Sequence, residues 1–472
     1  MTEKRISNRK IISLCLWFMF VLLACNLGTE SASSPPTLVI QATATPPATL
    51  GFNAVSQQDD SSNSTIQIDD VNTSTSNIGA ELYALMQQVD AERLMAHVQT
   101  LQDFQTRHVN STTTSSTRGI GAARNYVQEQ FEIVRQQAPF GNFTVQPQAF
   151  DLTYAGVPTQ QFNIIGYLQG IEPGAGVLVI GAHYDSIGPD FNDAEIFAPG
   201  ANDNGTGVAA LLEMARIMSQ RQYRSSVIFV AFSAEEVGRV GSRAFVDWAR
   251  GRNIDIVGMI NIDTIGNNNT RSGTIDESLR IFSCESESIC RDRGASRHMA
   301  RAVEFLGFAH NSILEMQVER TADREGRYGD HFSFSEGGYP AIRFINTLEE
   351  WGNGSSSDTI QYVERDYFRK STQSILLVAI AYADGPSPPS SITLRDGGDN
   401  TATLRWEPVV GATGYIVALR FPGSTRYDQQ LDWPDTSLTW DGFANYAGVA
   451  IGAKGPTGLI GRLSQEYVIQ PG

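Results

Sequence analysis

From Ala80 onward the apolar positions follow two periods. Leu82, Leu85, Met86 and Val89 recur three and four apart, as do Leu94, Val98 and Leu101, and this spacing predicts helices. A further helix is expected over Gly121–Phe131. Beyond it, short unbroken apolar runs alternate with helical stretches. The runs Asn163–Leu168, Val177–Ile180, Val227–Phe232, Val257–Ile262 and Ala341–Ile345 read as strands. Gly207–Met218, Ser242–Ala249, Met299–Leu306 and Phe368–Tyr382 read as helices. Strands alternating with helices predict an α/β fold, a three-layer sandwich around a mostly parallel central sheet.

The pattern changes at both ends of this region. Pro386-Ser387-Pro388-Pro389 reads as a linker. After it come short alternating runs at Ala402–Trp406, Tyr415–Leu419, Ser437–Trp440 and Val449–Ala453, separated by Gly, Pro and Asp turns. Residues 386–472 are therefore expected to form a small all-β sandwich. On the other side, residues 26–79 are rich in Ser, Thr, Pro, Asn, Gln and Asp. Such a stretch buries too little apolar surface to offset its ordering entropy, and is expected to be a disordered tether. Residues 1–25 read as a leader: Lys4, Arg5, Arg9 and Lys10, then an apolar run from Ile11 to Ala24. That run is too short to span a bilayer comfortably, which takes about 20 residues.

Composition adds exclusions. Hydrophobic residues make up 41% and charged residues 18%, the balance of a globular protein. The formal net charge of −16 argues against a nucleic-acid partner, which requires a basic surface. Of the four cysteines, Cys15 lies in the leader. Cys284 and Cys290 are six apart in a polar stretch. Export makes a disulfide between them the favoured reading, with metal ligation and free thiols as rivals.

Candidate chemistry sits at the ends of the predicted strands. The run from Val177 ends on His183, with Asp185 two residues on and so on the same side of an extended chain. Asp185 could accept the His ring N–H and fix its tautomer. Pro199-Gly200-Ala201-Asn202-Asp203 leads through three more residues to Gly207, where a helix is expected. The strand from Val227 is followed by Glu235 and Glu236. The strand from Val257 ends on Asp263. Each has an ordinary reading as a turn, a cap or a solvated loop. Together they place nitrogen and oxygen donors along one sheet edge, where α/β proteins bind ligands. His97, His108, His298 and His310 read as packing or surface residues.

These residues carry a resemblance. Gly181-Ala182-His183-Tyr184-Asp185-Ser186, Gly200 through Gly207, Ala234-Glu235-Glu236-Val237-Gly238 and Asn261-Ile262-Asp263 resemble the two-zinc exopeptidase family of bacterial leucyl aminopeptidase and aminopeptidase Y, over about residues 80–384. The resemblance implies that His183 and Asp263 hold one zinc, that Asp203 bridges two, that Glu236 holds the second, and that Glu235 is the general base. Asp185 matches a supporting acid, and Asp330-His331 with Gly338-Tyr339-Pro340 matches a further motif. The family's fifth ligand, a His, is absent: Gly354 occupies its place before Asp358-Thr359, and no His follows His331. One tight zinc and a weak or missing second are therefore expected, with His331 as a possible substitute ligand.

Two smaller resemblances complete the reading. Leu22-Leu23-Ala24-Cys25 resembles the lipobox of bacterial lipoproteins, implying a lipid on Cys25 and a membrane-anchored, cell-surface or periplasmic protein. Leu404-Arg405-Trp406-Glu407-Pro408 and Gly414-Tyr415-Ile416-Val417 resemble fibronectin type III domains. The expected function is extracytoplasmic aminopeptidase-like hydrolysis of peptides, with cell-wall polymer a candidate partner of the C-terminal domain. The alternatives are a peptide- or glycan-binding relative, a carboxypeptidase and a glutaminyl cyclase-like enzyme.

Overall fold

The strands in chain order are β1 (Asp69–Asp70), β2 (Phe143–Tyr154), β3 (Val157–Leu168), β4 (Val177–His183), β5 (Ser226–Phe232), β6 (Ile256–Ile262), β7 (Ser278–Phe282), β8 (Glu315–Val318) and β9 (Ala341–Asn346). The helices are α1 (Ala80–Met86), α2 (Ala91–Asp103), α3 (Gly119–Gln137), α4 (Gly207–Met218), α5 (Val240–Arg250), α6 (Ala295–Ala309), α7 (His331–Glu336) and α8 (Arg365–Asp384). The C-terminal part adds β10 (Thr393–Asp396), β11 (Ala402–Arg405), β12 (Gly414–Arg420), β13 (Gln429–Trp433), β14 (Ser437–Trp440), β15 (Gly448–Lys454) and β16 (Tyr467–Val468). This computed structural model describes residues 66–70, 80–284, 294–321, 329–348, 353–398 and 400–469. The leader, Cys25, most of the expected tether and Cys290 lie outside them.

An eight-stranded sheet runs β2-β3-β5-β4-β6-β9-β7-β8. Its centre, β5-β4-β6-β9, is parallel. β2 and β3 are joined as an antiparallel hairpin, β3 pairs antiparallel with β5, and β7 antiparallel with β9. The sheet is thus mixed, with the parallel order confined mainly to the middle. β2, β7 and β8 escape a search for apolar runs for a physical reason. β2 is an edge strand whose burial alternates, so only a few of its side chains are apolar and inward.

Three layers follow from the alternation of strand side chains. Leu178, Ile180 and Ala182 of β4 and Val227, Phe229 and Ala231 of β5 face one cluster with residues of α1 to α4, α6 and α8. Val177 and Val179, with Ile228, Val230 and Phe232, face the other, beneath Phe245, Val246 and Ala249 of α5 and Phe334 of α7. A strand buried on both faces reads as a continuous apolar run, which is why the central strands were legible.

The C-terminal strands form a five-stranded sheet, β1-β13-β12-β15-β16, and a three-stranded sheet, β10-β11-β14. Leu404, Trp406, Val417, Leu419, Leu438, Val449 and Ile451 fill the space between them. Residues 69–70 correct one expectation. They lie within the stretch read as a structureless tether, yet they pair with Gln429 and Gln430 on the edge of β13. Edge-strand pairing supplies backbone hydrogen bonds that composition cannot reveal.

Candidate metal centre

The parallel pairing of β4 with β6 sets Gly181 opposite Asn261. Two residues further along each chain stand His183 and Asp263, brought side by side at the carboxyl edge of the sheet. Asp203 approaches from the turn before α4. His183 Nε2 lies 3.3 Å from Asp203 Oδ1 and 3.5 Å from Asp263 Oδ1. One donor atom from each of the three lies within 4.8 Å of the others. His183 and Asp263 are buried.

Glycine is required at two places around Asp203. Gly200 adopts φ +50°, and a Cβ there would stand 2.6 Å from the Asp203 carbonyl oxygen. At Gly207 a Cβ would meet Asn204 Oδ1 at 2.3 Å and the Ile262 carbonyl oxygen at 2.4 Å. α4 therefore starts in contact with the end of β6. Asn204 strengthens the junction: its Nδ2 donates to the Ile262 carbonyl, and its Oδ1 accepts from the Thr264 and Gly207 amides. The Asp203–Asn204 peptide is cis.

The electrostatics call for a cation. Burial by itself depresses the His183 imidazole, but the carboxylates of Asp185, Asp203 and Asp263 outweigh it and hold its proton well above the usual histidine range. A buried imidazole facing buried and half-buried carboxylates, with an N/O donor set, fits a zinc ion. Arg343 of β9 supplies part of the counter-charge, with Nε 3.1 Å from Asp263 Oδ2. That leaves Oδ1 turned toward His183.

Asp185 supports the site differently from the expected pairing. Its carboxylate stands 3.7 Å from His183 Nδ1, beyond hydrogen-bond length, and that nitrogen faces the Asp185 carbonyl oxygen at 3.2 Å. The two carboxylate oxygens instead accept the amides of Glu235 and Glu236, each at 3.1 Å. Ala234 precedes them at φ +62°, a left-handed turn that swings both amides toward Asp185. Burial raises the proton affinity of both glutamates well above the carboxylate norm. Glu236 Oε1 is buried without a hydrogen-bond partner, and Glu236 joins no group of three candidate ligands among the described residues.

His331 opens α7 behind the site. Both its ring nitrogens are buried without hydrogen-bond partners, and burial depresses its pKa well below the usual value. It is not part of the His183–Asp203–Asp263 group. Its neighbour Asp330 is also buried, and burial lifts it from 3.8 to about 7. The backbone here is close to the metal centre: a Cβ on Gly329 would stand 3.1 Å from Asp263 Oδ2. Gly354 lies at φ +69° with nothing within 4 Å of a would-be Cβ. The adjacent Asn353 accepts a hydrogen bond from Asn202 at 3.3 Å, so this loop reaches the Asp203 turn.

Three supporting roles went unread in the sequence, those of Arg107 and Arg343 and that of Asp358, which showed only as part of the Asp358-Thr359 motif. Arg343 had a usable signal, a charge inside an otherwise apolar strand. The other histidines make packing contacts: His97 with the Tyr126 hydroxyl, His108 with the Phe191 carbonyl, His298 with the Tyr427 hydroxyl and His310 with the Ile460 amide. Cys284 is buried and disulfide-bonded, while Cys290, its expected partner, lies outside the described residues.

Comparison with known proteins adds independent findings. The description "Peptidase family M28" matches residues 163–379. A protein of Pyricularia oryzae named "Probable zinc metalloprotease" is 30% identical over 390 residues, covering 75% of this chain and 77% of its own. One of the same name from Phaeosphaeria nodorum is 28% identical, covering 72% and 77%. Among solved structures, the Legionella pneumophila LapA aminopeptidase shares the fold, with a TM-score of 0.51, 19% identity, and coverage of 65% of this chain and 76% of its own.

Proposed function

Because this chain belongs to peptidase family M28, we propose that it is a zinc-dependent exopeptidase of the aminopeptidase type. The observation that carries the reading is the group of buried His183, half-buried Asp203 and buried Asp263, with all three donor atoms within 4.8 Å of one another. These three residues would hold the zinc ion. Zinc bound there supplies Lewis acidity toward a carbonyl and toward water.

The chain's own groups supply the remainder. Glu235 takes a proton from the attacking water as the new C–O bond forms. It returns that proton to the leaving amine as the C–N bond breaks, giving a carboxylate and a free amine. Asp185 holds the Glu235–Glu236 turn through two amides, and Arg343 aligns Asp263. Glu236 and Asp203 would be left to hold a second metal, and among the described residues no His groups with them. A second zinc should therefore bind weakly.

The leader pattern and Cys25 support an exported, lipid-anchored location, with the enzyme outside the cytoplasm. The fibronectin type III-like strands are proposed as a spacer or as a contact for wall polymer. The test combines zinc stoichiometry with a panel of aminoacyl-p-nitroanilides and N-blocked peptides. One tight zinc and release from free N-termini support the reading. Zinc binding without turnover would identify a binding relative, and cleavage confined to free C-termini a carboxypeptidase.

A further inference from the structure

Two buried charged side chains outside the candidate ligand set converge on the turn that carries Asp203. Arg107 follows α2 and is fully buried. Its Nε donates to the Tyr184 carbonyl at 2.7 Å, and its Nη1 to the carbonyls of Leu101 at 3.2 Å and Pro199 at 2.5 Å. Its Nη2 donates to the Gly200 carbonyl at 2.9 Å. Tyr184 directly follows His183, so one planar guanidinium ties the residue after one candidate ligand to the turn that presents another.

Asp358 grips the same turn from the other side. Its Oδ1 accepts the Asn202 amide at 2.9 Å and its Oδ2 the Asp203 amide at 2.8 Å. Its own carbonyl accepts the Ala201 amide at 3.0 Å. Thus a cation draws on the carbonyls of Pro199 and Gly200, while an anion draws on the amides of Asn202 and Asp203. Each interaction aligns with the peptide dipoles, and the charge-assisted bonds resist rotation of the turn. Burying two such charges is costly unless their bonds are all satisfied. Gly200 fits the arrangement, since a Cβ there would press on Arg107 Nη2 at 2.7 Å.

We propose that Arg107 and Asp358 are positioning residues that lock the Gly200–Asp203 turn, so that the Asp203 carboxylate is held against His183 before metal arrives. The proposal rests on the zinc reading only for the identity of the ion. In the full-length protein, Arg107→Met, Arg107→Lys and Asp358→Asn are compared with wild type by chelator competition for zinc. A second measurement is amide hydrogen exchange over residues 199–206 in metal-free protein. Arg107→Met and Asp358→Asn should weaken zinc binding about 10–100-fold, as outer supports of metal ligands do. kcat should fall with little change in KM, and exchange in the turn should accelerate. Arg107→Lys should recover part of the loss, since an ammonium reaches some of the carbonyls but not all four. If Arg107→Met does not fold, the other two variants decide. Wild-type zinc affinity and exchange in folded Arg107→Lys and Asp358→Asn would overturn the proposal. A wild-type protein that binds no zinc would overturn the peptidase reading instead, and the exchange data would still judge the clamp.

Discussion

Glu235 and Glu236 are adjacent in sequence and both half-buried, yet the structure gives them different neighbours: Asp263 and Asp330 act on Glu235, and Asp203 on Glu236. Glu235 is assigned the proton transfer. Glu235→Gln keeps its size and removes its basicity, so kcat should fall about 10²–10⁴-fold while zinc content stays unchanged. Near-normal turnover by this variant would remove Glu235 from the mechanism. His183 leads to a second expectation. In the metal-free protein its proton is held well above the usual histidine range by three carboxylates acting against burial. A metal must displace that proton, so apparent zinc affinity should rise with pH while the proton remains bound. The expected slope is about tenfold per pH unit for one proton released. Titration with a chelator of known pH dependence measures it, and a flat profile would show that His183 is already neutral before binding. At this scale the sequence exposed the groups that end strands. It could not expose the contacts of Arg107 or Asp358, whose hydrogen bonds reach partners up to 93 and 156 residues away.

The site is a product of strand ends and turns. Four parallel strands deliver their carboxyl ends to one edge, and the pairing of β4 with β6 decides that His183 meets Asp263. A one-residue slip would turn one of them to the opposite face. The loop bearing Gly354 is the element that separates this chain from its two-zinc pattern. The space around Gly354 is open, and the loop already touches the Asp203 turn through Asn353 and Asn202. Gly354→His should therefore convert weak second-metal binding into a measurable second equivalent of zinc, at a cost of about 1 kcal/mol for a side chain at positive φ. Unchanged stoichiometry in calorimetric titration would show that the loop cannot aim an imidazole at Glu236. The elements that sequence reading missed share a cause. β2, β7 and β8 lie at or near the sheet margins, where apolar periodicity weakens, and α7 is too short for a 3.6-residue period to declare itself.

Across the whole molecule the C-terminal sheets have a cluster of their own and also contribute residues to the main core. On β12, Val417 and Leu419 point between the two sheets, while Ile416 and Ala418 join the main cluster of the α/β region. Buried charges cross the same boundary. Arg301 of α6 lies 3.7 Å from Glu466, which also forms a two-bond pair with Arg420 at 2.8 and 2.9 Å. Glu466→Ala leaves both arginines without that partner, and should destabilise the fold by about 3–5 kcal/mol. The drop should appear in a single thermal transition that also removes zinc binding. Two separate transitions, with the zinc-binding one unmoved, would mean that the C-terminal sheets fold independently.

The linear chain by itself carried the α/β alternation, the two-sided burial of the central strands, the all-β character of the C-terminal part, and the acids and His that end strands. These are local properties, written in the period and composition of a few consecutive residues. Tertiary structure alone decided which strand ends meet, that the Asp185 carboxylate holds two glutamate amides while its carbonyl faces the histidine ring, that residues 69–70 join the C-terminal sheet, and that Arg107 and Asp358 close on one turn. Each of these depends on hydrogen bonds and burial between segments far apart in the chain, and pairing at that range leaves no periodic trace in sequence.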